Sequence, residues 1–157
     1  MADSYLIEVA HKPGVTDPVG KGLTHDINHL GLARVKAVRS AQLYRLVGRL
    51  SETERKHIAQ DLLCDPIIQD YREDTPVKSE RKQGAWVIDV WYKTGVTDVV
   101  GDSVLKGIRD LNIQGVREVR TGMRYHLQGI SRQEAAEKIA QALLANPLVH
   151  DAVISLC

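Results

Sequence analysis

Apolar residues recur along the chain with two spacings, and each spacing occurs twice. Alternate apolar positions typical of a half-buried β-strand open each half of the chain, at Tyr5, Ile7 and Val9 and at Trp86, Ile88 and Val90. A spacing of three to four residues follows and predicts an amphipathic helix in each half. The predicted apolar stripes are Val19, Leu23, Ile27 and Leu30, and Val100, Val104, Ile108 and Leu111.

These matching segments belong to one internal repeat. Residues 5–73 align without a gap onto residues 86–154, and about a third of the aligned positions are identical. The nine residues KPGVTDPVG at 12–20 return as KTGVTDVVG at 93–101. The chain is therefore a tandem duplication. Because each copy is small for a stable domain, we predict that the two copies pack together as an intramolecular pseudo-dimer.

A polar stretch separates the two copies. It reads DTPVKSERKQG at 74–84, and its Pro76 and Gly84 are typical of a linker. We therefore predict a first module at residues 1–74, a linker at 75–84 and a second module at 85–157.

Each copy carries signals for the ends of its helices. Asp17 and Asp98 are predicted N-caps of the first helix, and we expect Asp17→Ala to weaken this cap by about 1 kcal/mol. Gly31 and Asn112 suit the left-handed residue that ends it. Capping boxes are predicted for the second helix, SETE at 51–54 and SRQE at 131–134, so that this helix starts one residue earlier in the second copy.

The remaining segments of each copy read as strands. Two strands are predicted between the helices, at about 33–39 and 42–50 in the first copy, joined at residues 40–41 or, in the second copy, 121–122. A last strand is predicted at 67–72 or 148–154, after a helix that closes before a proline. The order β-α-β-β-α-β predicts an α+β, ferredoxin-like module, an antiparallel sheet covered on one face by two helices.

Composition and charge exclude several classes of partner. The formal net charge of the 157-residue chain is +1, without the basic stripe that binds nucleic acid. No apolar run has the length of a membrane span, and no signal peptide is evident at the N-terminus. Cys64 and Cys157 lie in unrelated contexts, as expected for thiols in a reducing compartment. We therefore expect a cytoplasmic protein that binds neither nucleic acid nor membranes.

The residues with reactive side chains form no recognisable catalytic or metal-binding pattern. His25 and His29 share one helix face, but Lys106 and Asp110 replace them in the second copy, so solvent-exposed histidines are the expected interpretation. The negative charge of Asp65 disfavours a thiolate at Cys64. We expect no catalytic residue, no metal and no cofactor.

The repeated nine residues and the ends of two equivalent strands are the candidate binding residues. A lysine approaches a helix N-terminus, which favours anions or an acidic partner, but a glycine turn followed by a helix start explains the same letters and is the favoured interpretation. The strand-end arginines contact a partner or are simply solvated. The candidate partner-binding residues are Lys12, Asp17, Arg39, Lys93, Asp98 and Arg120.

Several motifs, taken in their order along the chain, resemble those of the PurS family. They are KPGVTDPVG, then LG and VKAVRS before a strand with a tyrosine, then LLCDPIIQDYR. The resemblance covers nearly all of both copies. The copies depart from the family pattern at different positions, Ala41 in the first and Thr94 and Val99 in the second, so we interpret the two copies as having different roles.

The resemblance implies a function. PurS proteins are small non-catalytic subunits of formylglycinamidine ribonucleotide synthase in de novo purine biosynthesis. The implied role is to bridge a glutaminase subunit (PurQ-like) and a synthetase subunit (PurL-like) and to support ammonia transfer between them, with no catalytic site in this chain. A homodimer of the tandem chain is a further expectation. The alternative is a regulatory protein of ferredoxin-like fold that binds a small metabolite.

Overall fold

The computed structural model describes residues 3–73 and 85–156, so the predicted linker at 75–84 lies outside the described residues. The helices are α1 (Pro18–His29), α2 (Glu52–Ile58), α3 (Val99–Asp110) and α4 (Gln133–Ile139). A π-helical turn extends α2 at Ala59–Leu63 and α4 at Ala140–Leu144. The strands are β1 (Ser4–His11), β2 (Ala37–Gly48), β3 (Gln69–Glu73), β4 (Ala85–Tyr92), β5 (Val116–Gln128) and β6 (His150–Leu156).

The middle of each copy is one long strand, and the prediction of two strands joined by a turn is wrong. β2 continues through Ser40 and Ala41, and β5 continues through Thr121 and Gly122. A two-residue hairpin turn requires a positive φ. None of these four residues has one, because Asn112 is the only described residue other than glycine with a positive φ, and Gly122 is not among the glycines that have one.

Hydrogen bonding places the strands in the order β3-β1-β2-β5-β4-β6, and the chain divides into two compact units. Unit 1 contains β1, α2, β3, α3, the part of β2 from Gln42 onward and the part of β5 up to Gly122. Unit 2 contains α1, β4, α4, β6 and the remaining parts of β2 and β5. Each unit is an antiparallel α+β arrangement with two helices, so the predicted fold class is confirmed.

Each unit takes one helix from the copy that supplies the smaller part of it. In unit 1, α3 of the second copy packs on strands of the first copy, and the core includes Ile7, Leu46, Ile58, Ile108 and Val119. In unit 2, α1 of the first copy packs on strands of the second, and the core includes Ile27, Val38, Ile88, Leu127 and Ile139. Both hydrophobic cores are therefore built from both copies.

The buried stripe of α1 differs from the predicted one. Ile27 is buried and Leu23 partly buried, as predicted, but Val19 and Leu30 are exposed. Gly20 is buried instead, because the first turn of α1 lies so close to β2 that no side chain fits there. In α3, Ile108 is buried and Val100 is exposed in the same way.

Most of the predicted helix ends are confirmed. Asp17 caps α1 and Asp98 caps α3, while Gly31 (φ 70°) and Asn112 (φ 61°) adopt the left-handed conformation after them. The capping box of α2 is present between the side chains and backbone N–H groups of residues 51 and 54.

The capping box predicted at 131–134 is wrong. The N-cap of α4 is Arg132, whose side chain makes no capping hydrogen bond, and α4 begins at Gln133, the position equivalent to the start of α2 at Glu52. The third residue of α4 is Ala135, which has no carboxylate to complete a capping box. The two second helices therefore start in the same register, and only the first is capped by side chains.

Candidate partner-binding site

The carboxylate of Asp17 joins the start of α1 to the middle of β2. It accepts hydrogen bonds from the backbone N–H of Gly20 at 3.0 Å, the backbone N–H of Ser40 at 2.6 Å and the Ser40 hydroxyl at 2.7 Å. A charged acceptor makes each of these bonds stronger than a neutral one would. Asp17 therefore holds α1 against β2 inside unit 2.

Asp98 forms the equivalent arrangement in unit 1, where it is only 6% exposed. Its carboxylate accepts from the backbone N–H of Gly101 at 2.8 Å, the backbone N–H of Thr121 at 2.6 Å and the Thr121 hydroxyl at 2.9 Å. We call these two sets of hydrogen bonds the aspartate clamps. In both copies the clamp engages the aspartate of the repeated nine residues.

The glycines of the repeated nine residues each have a structural role. Gly14 (φ 84°) and Gly95 (φ 89°) turn the chain after β1 and β4 in a backbone conformation that other residues rarely adopt. A Cβ atom at Gly20 would overlap the backbone carbonyl oxygen of Val38, and one at Gly101 would overlap that of Val119. The last glycine thus permits the close approach that the aspartate clamp requires.

The lysine that opens the nine residues is tied to the last strand of its own copy. The backbone N–H of Lys12 donates to the carbonyl of Ile68 at 2.9 Å, and that of Lys93 donates to the carbonyl of Val149 at 2.9 Å. Their ammonium groups lie 3.8 Å from Asp70 and 3.3 Å from Asp151, respectively. Both lysine side chains are partly exposed, so these ion pairs are weak and leave the charges within reach of a partner.

Arg39 and Arg120 occupy equivalent positions but have different surroundings. Arg39 is exposed on β2, in unit 2. Arg120 is half-buried on β5, in unit 1, with a guanidinium nitrogen 3.5 Å from Glu118 Oε1. Ala37 stands in the first copy where the second has Glu118. Of the two arginines, Arg39 is the more accessible to a partner.

The six candidate residues fall into two groups. The structure places the two aspartates inside the fold, and leaves the side chains of the four basic residues at least partly in solvent: Lys12, Lys93, Arg39 and Arg120. Lys12 lies in unit 1 and Arg39 lies in unit 2. Partner binding by these residues remains a prediction.

Among the residues that the structure describes, the histidines and Cys64 belong to no cluster that could bind a metal ion. His25 and His29 are exposed and stack with ring centroids 5.6 Å apart, and His57 Nε2 lies 2.9 Å from Asp61. Desolvation raises the pKa of the Cys64 thiol, with added contributions from Asp70 and Asp65, as the sequence predicts in direction. No group of three or more potential ligands among the described residues could hold a metal ion.

Ion pairs in which at least one partner is buried are a feature that the sequence did not predict. In unit 2, Arg124 is 2% exposed and donates from Nε and Nη2 to the two carboxylate oxygens of Asp89, at 2.8 and 2.9 Å. In unit 1, Arg72 Nε lies 2.7 Å from Glu8 Oε2. Charged residues of opposite sign at alternating strand positions were the available signal, but strand pairing had to be known before they could be matched.

The fold and the site together define a tandem α+β protein in which the repeated motif fixes the backbone. The model of the PurS family, described as phosphoribosylformylglycinamidine (FGAM) synthase, matches residues 4–75 and 85–157. The chain belongs to the PurS family, and this membership assigns it to purine biosynthesis. Within residues 3–73 and 85–156, no helix combines the length and apolar composition that crossing a bilayer requires.

Two solved structures are among those similar to this chain. PurS from B. subtilis, in a C2 crystal form, is 26% identical over 47% of this chain and 96% of its own, with a TM-score of 0.42. PurS from Methanocaldococcus jannaschii, one of the subunits of formylglycinamide ribonucleotide amidotransferase in the purine biosynthetic pathway, is 25% identical over 47% of this chain and 94% of its own, with a TM-score of 0.40. No curated protein matches the chain.

Proposed function

We propose that the chain is a non-catalytic bridging subunit of the formylglycinamidine ribonucleotide synthase complex. In this role it holds a synthetase subunit (PurL-like) and a glutaminase subunit (PurQ-like) together in the cytoplasm and supports the transfer of ammonia between them. The family match over both copies is the observation that carries the proposal.

The structural role of the repeated nine residues supports a scaffolding function for the chain. Both copies keep the aspartate clamp and the close-packed glycine, which maintain the backbone. The surroundings of the strand-end arginines, in contrast, differ between the copies, because Arg39 is exposed and Arg120 is half-buried beside Glu118. Two modules, 1–74 and 85–157, joined at 75–84, can thus keep one fold while presenting a different surface to each partner.

Reconstitution from the three separately purified subunits tests the proposal. The two other subunits should turn over slowly with glutamine and normally with ammonium salts, and the tandem chain should raise only the glutamine-dependent rate. It should also co-elute with both subunits in gel filtration. Failure to co-elute would contradict the proposal, as would turnover by the chain alone. A chain that stays alone and melts at a higher temperature with a nucleotide or an amino acid would favour the regulatory alternative.

The exposed candidate arginine provides a sharper test. We expect Arg39→Ala to weaken binding to the other two subunits by about tenfold, the effect of losing one contributing interface side chain. Arg34→Ala removes the same charge from another exposed position of unit 2 and serves as the matched control. Titration by isothermal calorimetry gives both affinities. Equal affinities for the two variants would remove Arg39 from the partner-binding residues.

A further inference from the structure

Each copy has a tight turn between the end of its second helix and its last strand. In unit 1 the carboxylate of Asp65 accepts a hydrogen bond from the backbone N–H of Ile67 at 3.0 Å. The carbonyl oxygen of Asp65 accepts another from the backbone N–H of Gln69 at 2.8 Å. In unit 2 the side-chain and carbonyl oxygens of Asn146 make the equivalent two bonds, also at 3.0 and 2.8 Å. The backbone of the two turns is therefore held in the same way.

One further hydrogen bond closes each turn, and in this bond the two copies differ chemically. The backbone N–H of Asp65 donates to Oε1 of Gln69 at 2.9 Å. The backbone N–H of Asn146 donates to Nδ1 of His150 at 3.0 Å. Because Gln69 and His150 occupy equivalent positions, an imidazole nitrogen in unit 2 replaces the amide oxygen of unit 1.

The imidazole of His150 accepts this hydrogen bond only in its neutral form. Nδ1 has a free lone pair in the tautomer that carries its hydrogen on Nε2. A proton from solvent binds at Nδ1, converts the acceptor into a donor and leaves two N–H groups facing each other. The amide oxygen of Gln69 undergoes no such change, because a glutamine side chain does not titrate.

The groups around His150 come from the strands on either side of the turn and from the helix end before it. Tyr92 of β4 lies opposite His150, with the two ring centroids 5.1 Å apart. The carboxylate of Asp151, the next residue of β6, lies 3.3 Å from the ammonium group of Lys93. The π-helical turn Ala140–Leu144 contributes no charged side chain. Histidine is the residue type in this set whose charge ordinarily changes between about pH 5 and pH 8.

The equivalent turn of unit 1 provides an internal comparison. Lys12 and Asp70 form the equivalent ion pair, with Nζ and Oδ1 3.8 Å apart. Gln69 lies opposite His11 of β1, but Gln69 is the residue that accepts from the N–H in the turn. The ion pair is thus common to both units, whereas a proton-binding acceptor in the turn belongs to unit 2.

We propose that the turn at 146–149 is a pH-sensitive element, closed while His150 is neutral and loosened when His150 binds a proton. The equivalent turn of unit 1 stays closed over the same pH range. The turn of unit 2 carries Leu148, whose side chain is 82% exposed. Protonation therefore changes how firmly this apolar side chain is held at the surface. The element operates in the chain alone, so it stands independently of the proposed function.

Nuclear magnetic resonance of the isotopically labelled chain between about pH 8 and about pH 5 tests the proposal. At the upper end of this range His150 should carry its hydrogen on Nε2. Exchange of the Asn146 amide hydrogen, corrected for the pH dependence of exchange in an unstructured chain, should become about tenfold faster as His150 is protonated, because one hydrogen bond is lost. The Asp65 amide is the internal control and should keep its protection throughout.

A substitution separates His150 from other titrating groups. His150→Gln gives unit 2 the acceptor of unit 1 and should keep the Asn146 amide protected over the whole range. The matched control is His25→Gln, at an exposed histidine of unit 2, which should leave the response of Asn146 unchanged. A protonated His150 with an unchanged exchange rate at Asn146 would overturn the proposal. So would a hydrogen on Nδ1 at high pH, a His150→Gln variant that retains the response, or an Asp65 amide that responds in the same way.

Discussion

At the scale of single residues, two carboxylates each join the first turn of a helix to a distant strand. Each of Asp17 and Asp98 accepts one hydrogen bond from the first turn of a helix and two from a distant serine or threonine. Helix capping alone would use one of the three. The other two fix the helix onto a strand 23 residues away in the chain, which no local signal specifies.

We expect Asp98→Ala to lower the free energy of unfolding by about 2–4 kcal/mol, because it removes the helix cap and leaves the N–H of Thr121 buried without its acceptor. Asp17→Ala should have a smaller effect, since Asp17 is less buried. Urea denaturation measures both. Asp98→Asn keeps one acceptor oxygen and should lie between the native protein and Asp98→Ala. A loss of only about 1 kcal/mol for Asp98→Ala would mean that the cap alone contributes.

At the scale of elements, the contact between helix and strand decides the position of α1 and α3. The clamps draw each helix so close to its strand that a glycine must face the strand carbonyl. The first turn of each helix therefore buries backbone rather than a valine side chain, and the valines predicted to be buried lie in solvent. Close backbone packing thus replaces side-chain packing at these two helix starts.

Two glycines on the same helix should respond to alanine in opposite directions. Gly20→Ala should destabilise the protein by about 2–3 kcal/mol or more, because the added methyl group overlaps the carbonyl of Val38. Gly22→Ala should stabilise it by about 0.5–1 kcal/mol, because no atom lies within 4 Å of the added Cβ and alanine favours the helix. Thermal and urea unfolding measure both. A stabilising Gly20→Ala would refute the close packing of α1 on β2.

The second helix of each copy ends in a way that the sequence pattern did not indicate. The N–H of Cys64 donates to the carbonyl of Ala59 at 3.0 Å, and that of Ala145 donates to the carbonyl of Ala140 at 2.9 Å, so both final turns are π-helical. Apolar spacing is nearly the same for α- and π-turns over five residues. The prolines at 66 and 147 predicted where each helix stops, but not the geometry of its last turn.

At the scale of the whole molecule, the exchange of α1 and α3 between the copies makes each core depend on both. Without α3, unit 1 would expose the apolar side chains that pack against Ile108, and without α1, unit 2 would expose those that pack against Ile27. Burying such side chains is the main source of stability in small proteins. The duplication therefore supplies two mutually dependent halves.

Two fragments, obtained by dividing the chain within residues 75–84, test this dependence of each core on both copies. Each half expressed alone should fail to form a folded monomer, because its core lacks a helix from the other half. The two halves mixed or co-expressed should form a one-to-one complex with the circular dichroism spectrum of the full chain. The full chain cut at the same place by a protease is the control and should stay folded. A folded, monomeric half would instead show that one copy forms a complete core without the other.

The sequence by itself determined the duplication, the α+β class, the caps at Asp17 and Asp98 and the turn at Gly31, because each depends on residues close together in the chain or on a comparison of the two copies. Only the tertiary structure decided which copy each first helix packs against, that residues 37–48 form a single strand, and that Arg124 pairs with Asp89. These outcomes depend on contacts between distant segments. Local periodicity sets the apolar face of a helix but does not specify the strands that cover it.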